Sequence, residues 1–294
     1  ENPRPADNPV EKLESLGAVV YQCKEGRQPL DWDCLAGYDS IKEEIEDSIL
    51  LGLKHPDEYD NVTHKTRVRF ESNRPRAILF EGPPGTGKTT TARIIAELSN
   101  TTMVYIPIES VMSKWFGESE TRLSDILKIC DDIGAIVFLD EIDSLATSRD
   151  GGNSMHEATR RILSVLLRTI EGFHESTKSN SIIIAATNRK QDLDTALVSR
   201  FDISIMFPLP TAPAREAIFA RYAKHLTREQ RLGLANACVG FSGRDIKDTC
   251  KHAERRWVSY TLREASNKNI DLEIKPPPLE YYTQAIQQRK NTIN

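Results

Sequence analysis

The run Gly82-Pro83-Pro84-Gly85-Thr86-Gly87-Lys88-Thr89 is suited to holding phosphate. Its glycines let successive backbone N–H groups turn inward around an anion, and Lys88 adds a positive charge for the β and γ oxygens. Thr89 supplies a hydroxyl for Mg²⁺. The flanks are those that this chemistry requires. Ala77-Ile78-Leu79-Phe80 enters the loop as a buried strand, and Thr90–Leu98 leaves it as a helix whose N-terminus carries partial positive charge. An ordinary Gly/Pro turn needs neither flank. A second apolar run, Ile136-Val137-Phe138-Leu139, ends on Asp140 and Glu141. Such an acidic pair alone is common at the start of a loop. Beside a phosphate loop the two acids divide the work: Asp140 holds the Mg²⁺ shell and Glu141 polarises a water in line with the γ-phosphate.

These residues need a sheet to bring them together. Five short apolar runs, Ala77–Phe80, Met103–Ile108, Ala135–Leu139, Ser181–Ala186 and Ile203–Phe207, alternate with helical stretches, which predicts an α/β fold with a five-stranded parallel sheet flanked by helices. Beyond Pro208 strand signals cease, and helices are expected over Ala214–His225, Arg228–Cys238, Arg244–Ala265 and Leu279–Lys290. The expected organisation is a linker over residues 1–30, a large α/β nucleotide-binding domain over 31–207, and a smaller all-helical lid domain over 208–294. Ile41, Ile45, Ile49, Leu50 and Leu53 recur at helical spacing, so Asp39–Leu53 reads as one amphipathic helix stopped by His55-Pro56. The basic stretch Thr63–Pro75 reads as a solvated loop, and Arg255, Arg256 and Trp257 as a lid-helix surface in which packing is the favoured role.

Composition narrows the function classes. With 294 residues and 39% hydrophobic content, the chain exceeds one compact domain. A net charge of −4 provides no global basic field, which argues against a nucleic-acid partner. The five cysteines (Cys23, Cys34, Cys130, Cys238, Cys250) are odd in number and contain no C-x-x-C pair, so a disulfide framework or zinc site is not expected. A reducing intracellular compartment is the natural expectation, cytoplasm or organelle interior alike. No run of about 18 apolar residues occurs. The chain begins at Glu1, so a targeting segment or anchor removed from a longer protein stays open.

On the phosphate loop and the acidic pair, the sequence resembles the AAA family of AAA+ P-loop ATPases, over about residues 31–265. The resemblance implies ATP and Mg²⁺ as cofactors. Lys88, Glu141, Asn188 and Arg200 are then the catalytic set, with Thr89 and Asp140 at the metal and Pro84, Gly85, Thr86, Gly87, Lys88, Thr89 and Thr90 at the phosphates. Asn188, closing Ile183-Ile184-Ala185-Ala186-Thr187-Asn188, stands where the family places a polar sensor; its amide can bond both γ-phosphate and lytic water. Gly37 and Tyr38 stand in the adenine-contacting entry, whereas Trp32 nearby is expected to pack as core.

Leu193–Asp202 resembles the arginine-finger region. Arg200 would reach the γ-phosphate of a neighbouring subunit and offset charge in the transition state. Relatives often carry two arginines; here Ser199 precedes Arg200, so one finger is implied, with an intrasubunit ion pair as the alternative. Arg244 replaces a common Ala at the start of a lid helix, which makes it a second sensor or a solvated helix residue. Arg160 and Arg161 are candidates for a relay between subunits. Lys114-Trp115-Phe116-Gly117 resembles the family's central pore loop, an aromatic step that would grip an extended polypeptide; the alternative is a buried Trp115 and Phe116.

The resulting expectation is a homo-hexameric ring that couples conversion of ATP and water to ADP and phosphate with remodelling, unfolding or disassembly of a protein substrate. Microtubule severing and membrane-complex disassembly stay open as choices of substrate. Two competing classes are an ATP-gated scaffold with little turnover, against which Lys88, Asp140, Glu141 and Asn188 speak, and a nucleic-acid loader, against which the acidic balance and the Trp115-Phe116 step speak.

Overall fold

The computed structural model describes residues 8–22, 30–108, 119–147, 153–175, 181–268 and 275–293. The chain divides into two compact units. One comprises Glu1–Cys34, Ser40–Gly82 and Lys88–Phe207; the other comprises Leu35–Asp39, Pro83–Gly87 and Pro208–Asn294.

The first unit is built on a six-stranded sheet. Its strands are β1 (Val19–Tyr21), β2 (Ala77–Glu81), β3 (Met103–Pro107), β4 (Ile136–Asp140), β5 (Ile182–Thr187) and β6 (Ile203–Met206), in the order β1-β3-β4-β5-β2-β6. The five strands β2–β6 are parallel, as the apolar runs predict. Strands covered on both faces need apolar residues at every position, and β5 is buried throughout.

The sixth strand corrects the expectation of a linker over residues 1–30, because β1 pairs antiparallel with β3. Before it lies a helix, Pro9–Ser15, capped by Asn8, whose side chain accepts from the Val10 N–H. Leu13 and Ala18 of this segment are buried in the main core. A helix of 7 residues and a strand of 3 are too short for a periodic signal.

Helix Asp39–Ile45 continues through a π-helical stretch, Glu46–Leu50, into Leu51–Lys54. Its apolar face buries Ile41, Ile45, Ile49 and Leu50. The loop expected over 63–75 starts later than expected: residues 63–66 close the helix Pro56–Thr66, with Thr63 buried, and residues 67–75 form neither helix nor strand. Asp60 of that helix accepts from Ser72 at 3.1 Å and pairs with Arg74 at 3.2 Å, so the basic run folds back on an acid. The main core lies between the sheet and the helices Ser119–Ile133 and Asn153–Glu175, where Leu123, Ile126, Leu127, Ile162, Leu166 and Ile170 are buried.

Among the described residues the second unit carries four helices, Ala212–Tyr222, Arg228–Ala237, Gly243–Lys268 and Leu279–Ile293. Phe219, Leu234, Phe241, Ile246 and Tyr282 form its own core, with Ala36 packed against it. Trp257 rests on Tyr281 at 5.1 Å between ring centroids and donates to the Lys275 carbonyl at 2.6 Å, the packing role expected of it. Among the described residues Cys34, Cys130, Cys238 and Cys250 are free thiols; Cys23 lies outside them. No helix among them is long and apolar enough to cross a membrane.

Candidate active site

Parallel strands all deliver their C-terminal ends to one edge of a sheet, which is where ligands of such folds bind. In the first unit that edge carries Glu81 of β2, Asp140 of β4 and Thr187 of β5. Chain and loop are fixed to one another there: Gly82 N–H donates to Thr187 O at 3.3 Å, and Ile142 N–H to Ala186 O at 3.1 Å. Gly82 has φ 138°, and a Cβ on it would stand 2.2 Å from the Phe207 carbonyl oxygen, so only glycine fits.

Four of the predicted side chains meet directly, in two pairs. Lys88 is 7% exposed, and its ammonium donates to Gly82 O at 2.6 Å and to Asn188 Oδ1 at 2.9 Å. Thr89 Oγ1 donates to Asp140 Oδ2 at 3.3 Å. Glu141 follows with its side chain exposed and its backbone at φ 56°. A non-glycine residue in the left-handed region costs on the order of 1–2 kcal/mol and turns the chain sharply out of β4, which is a mark of functional positions.

Sequence reading missed three contributors at this edge. Asp143, 7% exposed, accepts from Thr187 Oγ1 at 3.0 Å and from the Asn188 N–H at 3.1 Å, so it fixes the loop that carries the sensor. Its signal was the third acid in Asp140-Glu141-Ile142-Asp143. Glu81 accepts from Lys190 at 2.8 Å and from Ser204 at 3.0 Å. Tyr105 donates to Asp140 Oδ2 at 3.4 Å. Burial first, then the charges of Asp140 and Glu141, push its phenol up to about 12, so it remains a donor at neutral pH.

Arg200 donates through Nε to Glu171 Oε1 at 2.7 Å and through Nη1 to Ala196 O at 3.1 Å. Within one chain this is the ion-pair alternative that the sequence left open. Arg160 and Arg161 are exposed on the helix Asn153–Glu175. Trp32 is half-buried and not fully core; its indole N–H donates to Glu46 at 3.1 Å. The expected pore loop, Lys114, Trp115, Phe116 and Gly117, lies outside the described residues.

In the second unit the remaining loop residues are shaped by close approach. Gly37 has φ 75°, and a Cβ there would be 2.5 Å from the Ala214 Cβ. Tyr38 is also left-handed, at φ 62°, and its hydroxyl donates to Pro208 O at 2.7 Å; burial pushes that phenol up to about 12. Thr86 Oγ1 donates to Pro83 O at 2.9 Å, closing the turn through Pro84 and Gly85. Gly85 has φ 76°, and a Cβ on it would meet Ser242 Oγ at 2.6 Å and Arg244 Cβ at 2.7 Å. The Arg244 N–H donates to Gly85 O at 3.1 Å, so the backbone of the proposed second sensor is bonded to the phosphate loop. The helix behind Arg244 starts with a reciprocal cap: Asp245 accepts from Ser242 N–H at 2.9 Å, and Ser242 Oγ accepts from Asp245 N–H at 3.3 Å.

A hydroxyl and a carboxylate on Thr89 and Asp140 are hard oxygen donors that fit Mg²⁺, which keeps waters and phosphate oxygens in its shell. Among the described residues no three His, Cys, Asp or Glu side chains are grouped to cage an ion.

Residues 78–209 match the family model described as "ATPase family associated with various cellular activities (AAA)". Fidgetin-like protein 1 of Drosophila melanogaster is 34% identical over 243 residues, covering 81% of this chain and 44% of that protein. A putative cell division cycle ATPase of Plasmodium falciparum is 34% identical over 237 residues, covering 79% of this chain and 18% of that one. The chain thus spans less than half the length of these relatives. The crystal structure of the FIGL-1 AAA domain aligns with a TM-score of 0.76 at 25% identity, over 97% of this chain and 91% of that one. The same domain in complex with ADP gives 0.76 at 24% identity over 98% and 92%, a likeness of fold.

Proposed function

Because the chain belongs to the AAA family of ATPases, we propose that it hydrolyses Mg²⁺-ATP in a ring of its own copies and spends the conformational change on remodelling a protein. The observation that supports hydrolysis is the meeting of Lys88 with Asn188 and of Thr89 with Asp140 at one sheet edge, with Glu141 turned out beside them.

Each residue has a task that its chemistry suits. Lys88, now bonded to neutral Asn188, exchanges that partner for phosphate oxygens, which a cation prefers. Asn188 is thereby released, and its amide both donates and accepts, so it can orient a water against the γ-phosphate. Glu141 takes a proton from that water. Thr89 and Asp140 hold Mg²⁺, which neutralises charge on the phosphates. Gly85, Thr86, Gly87 and Thr90 present backbone N–H groups to the phosphates, Pro84, which has no N–H, shapes the turn before them, Gly37 and Tyr38 lie by the base, and Arg244 acts as second sensor. The Lys114–Gly117 step is the proposed grip on an extended polypeptide.

Arg200 is the residue on which the ring reading turns. To act on a neighbour's γ-phosphate it must leave Glu171. The test is ATPase rate per subunit against protein concentration for wild type and Arg200→Ala, with sedimentation in ATP alongside. A rate that climbs with concentration as rings form, and that collapses in Arg200→Ala with assembly retained, supports a finger acting between subunits. A rate indifferent to Arg200 leaves it as the structural partner of Glu171 and removes it from the active site.

A further inference from the structure

We propose that Tyr105 is a positioning residue of the hydrolytic site: its phenol fixes the Asp140 carboxylate, and a column of aromatic rings running to the edge strand β1 fixes the phenol. The inference deepens the ATPase reading and rests on it for the role of Asp140.

The sheet register sets the arrangement. Tyr105 on β3 is paired directly with Phe138 on β4, and Phe138 shares its face of β4 with Asp140 two residues on. An aromatic ring in that position reaches diagonally to the next residue on the same face. The phenol accordingly stacks on Phe138, with centroids 5.9 Å apart and planes at 21°, and its hydroxyl donates to Asp140 Oδ2 at 3.4 Å. The same oxygen accepts from Thr89 at 3.3 Å, so two hydroxyls on different elements triangulate one carboxylate oxygen. Asp140 Oδ1 is occupied separately by the Glu141 N–H at 3.1 Å. The carboxylate that would face the metal therefore also governs the backbone of the residue that would activate water.

The outer side of Tyr105 is braced as well. Tyr21 of β1 meets it edge to face, at 6.5 Å and 82°. The Arg93 guanidinium lies 4.1 Å from the Tyr21 ring centroid and donates to its hydroxyl. Arg93 belongs to the helix Lys88–Leu98, which begins at the phosphate loop. The path from Lys88 along that helix to Arg93, Tyr21, Tyr105 and Asp140 thus closes back on the site. This gives the short strand β1 a task beyond covering the sheet: it holds the ring that holds the acid.

The test compares the full chain with Tyr105→Phe, which keeps both ring contacts and removes only the hydroxyl. Affinity for a fluorescent ATP analogue is titrated in EDTA and in Mg²⁺, turnover is followed against Mg²⁺ and ATP, and thermal stability is recorded. The expected result is unchanged affinity in EDTA, unchanged thermal stability, and a loss of about fivefold in the Mg²⁺-dependent tightening, the scale of one hydrogen bond. The Mg²⁺ midpoint for turnover should rise and kcat should fall while KM for ATP at saturating Mg²⁺ holds. Equal Mg²⁺ linkage in wild type and variant overturns the proposal, as does a parallel loss of EDTA affinity and stability, which would mark Tyr105 as packing alone. A wild type that binds nucleotide with Mg²⁺ linkage yet turns none over would sink the ATPase reading, while the linkage comparison still decides Tyr105.

Discussion

The two parts of the chain that would face phosphate are secured by different means. In the α/β unit the contacts run from side chain to side chain: Lys88 to Asn188, Thr89 and Tyr105 to Asp140, Thr187 to Asp143. In the helical unit they run through backbone and through glycines that nothing larger can replace, as at Gly37 and Gly85. Side-chain hydrogen bonds exchange partners at a net cost of about 1 kcal/mol each, so the first part can re-pair when a ligand arrives. Overpacked backbone contacts have no second arrangement of similar energy. Substitutions in the first part should therefore act on rate, and those in the second on binding and folding.

The largest expected effect belongs to Glu141→Gln. Loss of the general base should lower turnover by at least about a hundredfold while ATP affinity and thermal stability hold. A variant that loses binding along with turnover would mean that Glu141, at φ 56°, serves the shape of the loop and not the water, and the contrast between the two parts would fail.

Gly85→Ala should do the reverse. A methyl group placed 2.6 Å from Ser242 Oγ and 2.7 Å from Arg244 Cβ, on a backbone at φ 76°, forces the loop apart from the start of the helix. Overpacking of this kind costs about 1–3 kcal/mol, so nucleotide affinity should fall by about tenfold or more, read by equilibrium titration. Wild-type affinity would show that this loop tolerates rearrangement after all.

How far the sequence foretold these parts follows from what each depends on. The five parallel strands and the loop from Gly82 to Thr89 were legible because burial on both faces writes continuous apolar runs, and phosphate binding writes glycines at fixed spacing. Strand β1 was not, because three residues at an edge carry no period. Tyr105 was hidden for a related reason: its relation to Asp140 exists only once β3 and β4 are set in register, and nothing local in Met103–Pro107 announces it. Asp143 could have been suspected from its spacing, but its partner, the Asn188 N–H, lies 45 residues away on another strand's end. Arg200 shows the opposite limit. The motif around it resembles a finger, yet the acid it meets, Glu171, lies on a helix whose facing residues the sequence does not reveal.

Asp143→Asn sharpens the comparison within the first part. The amide keeps one acceptor for Thr187 Oγ1 and the Asn188 N–H but removes the charge beside Arg189, whose Nε stands 4.0 Å away. With the sensor loop less firmly held, kcat should fall by about tenfold, the usual scale for a group that orients a reacting residue from behind, and KM for ATP should change little. An equal fall in ATP affinity would place Asp143 in binding.

The smallest effect is expected at Asp245, where the helical unit does depend on a side-chain pair. Burial by itself would raise this carboxyl, but hydrogen bonds from Ser242 and Arg289 outweigh burial and hold it below its ordinary value of 3.8. The folded state therefore binds this proton less readily than the unfolded state. Its contribution is complete above pH 3.8 and is lost as the pH falls through the lower, folded-state value. Asp245→Asn should cost about 1 kcal/mol at neutral pH, the scale of one helix cap, and the difference from wild type should shrink on acidification below that value. Thermal melts of both proteins across that range check it. A gap that persists unchanged in acid would mean that the cap geometry at Ser242, and not the charge facing Arg289, is what anchors the start of the helix behind Arg244.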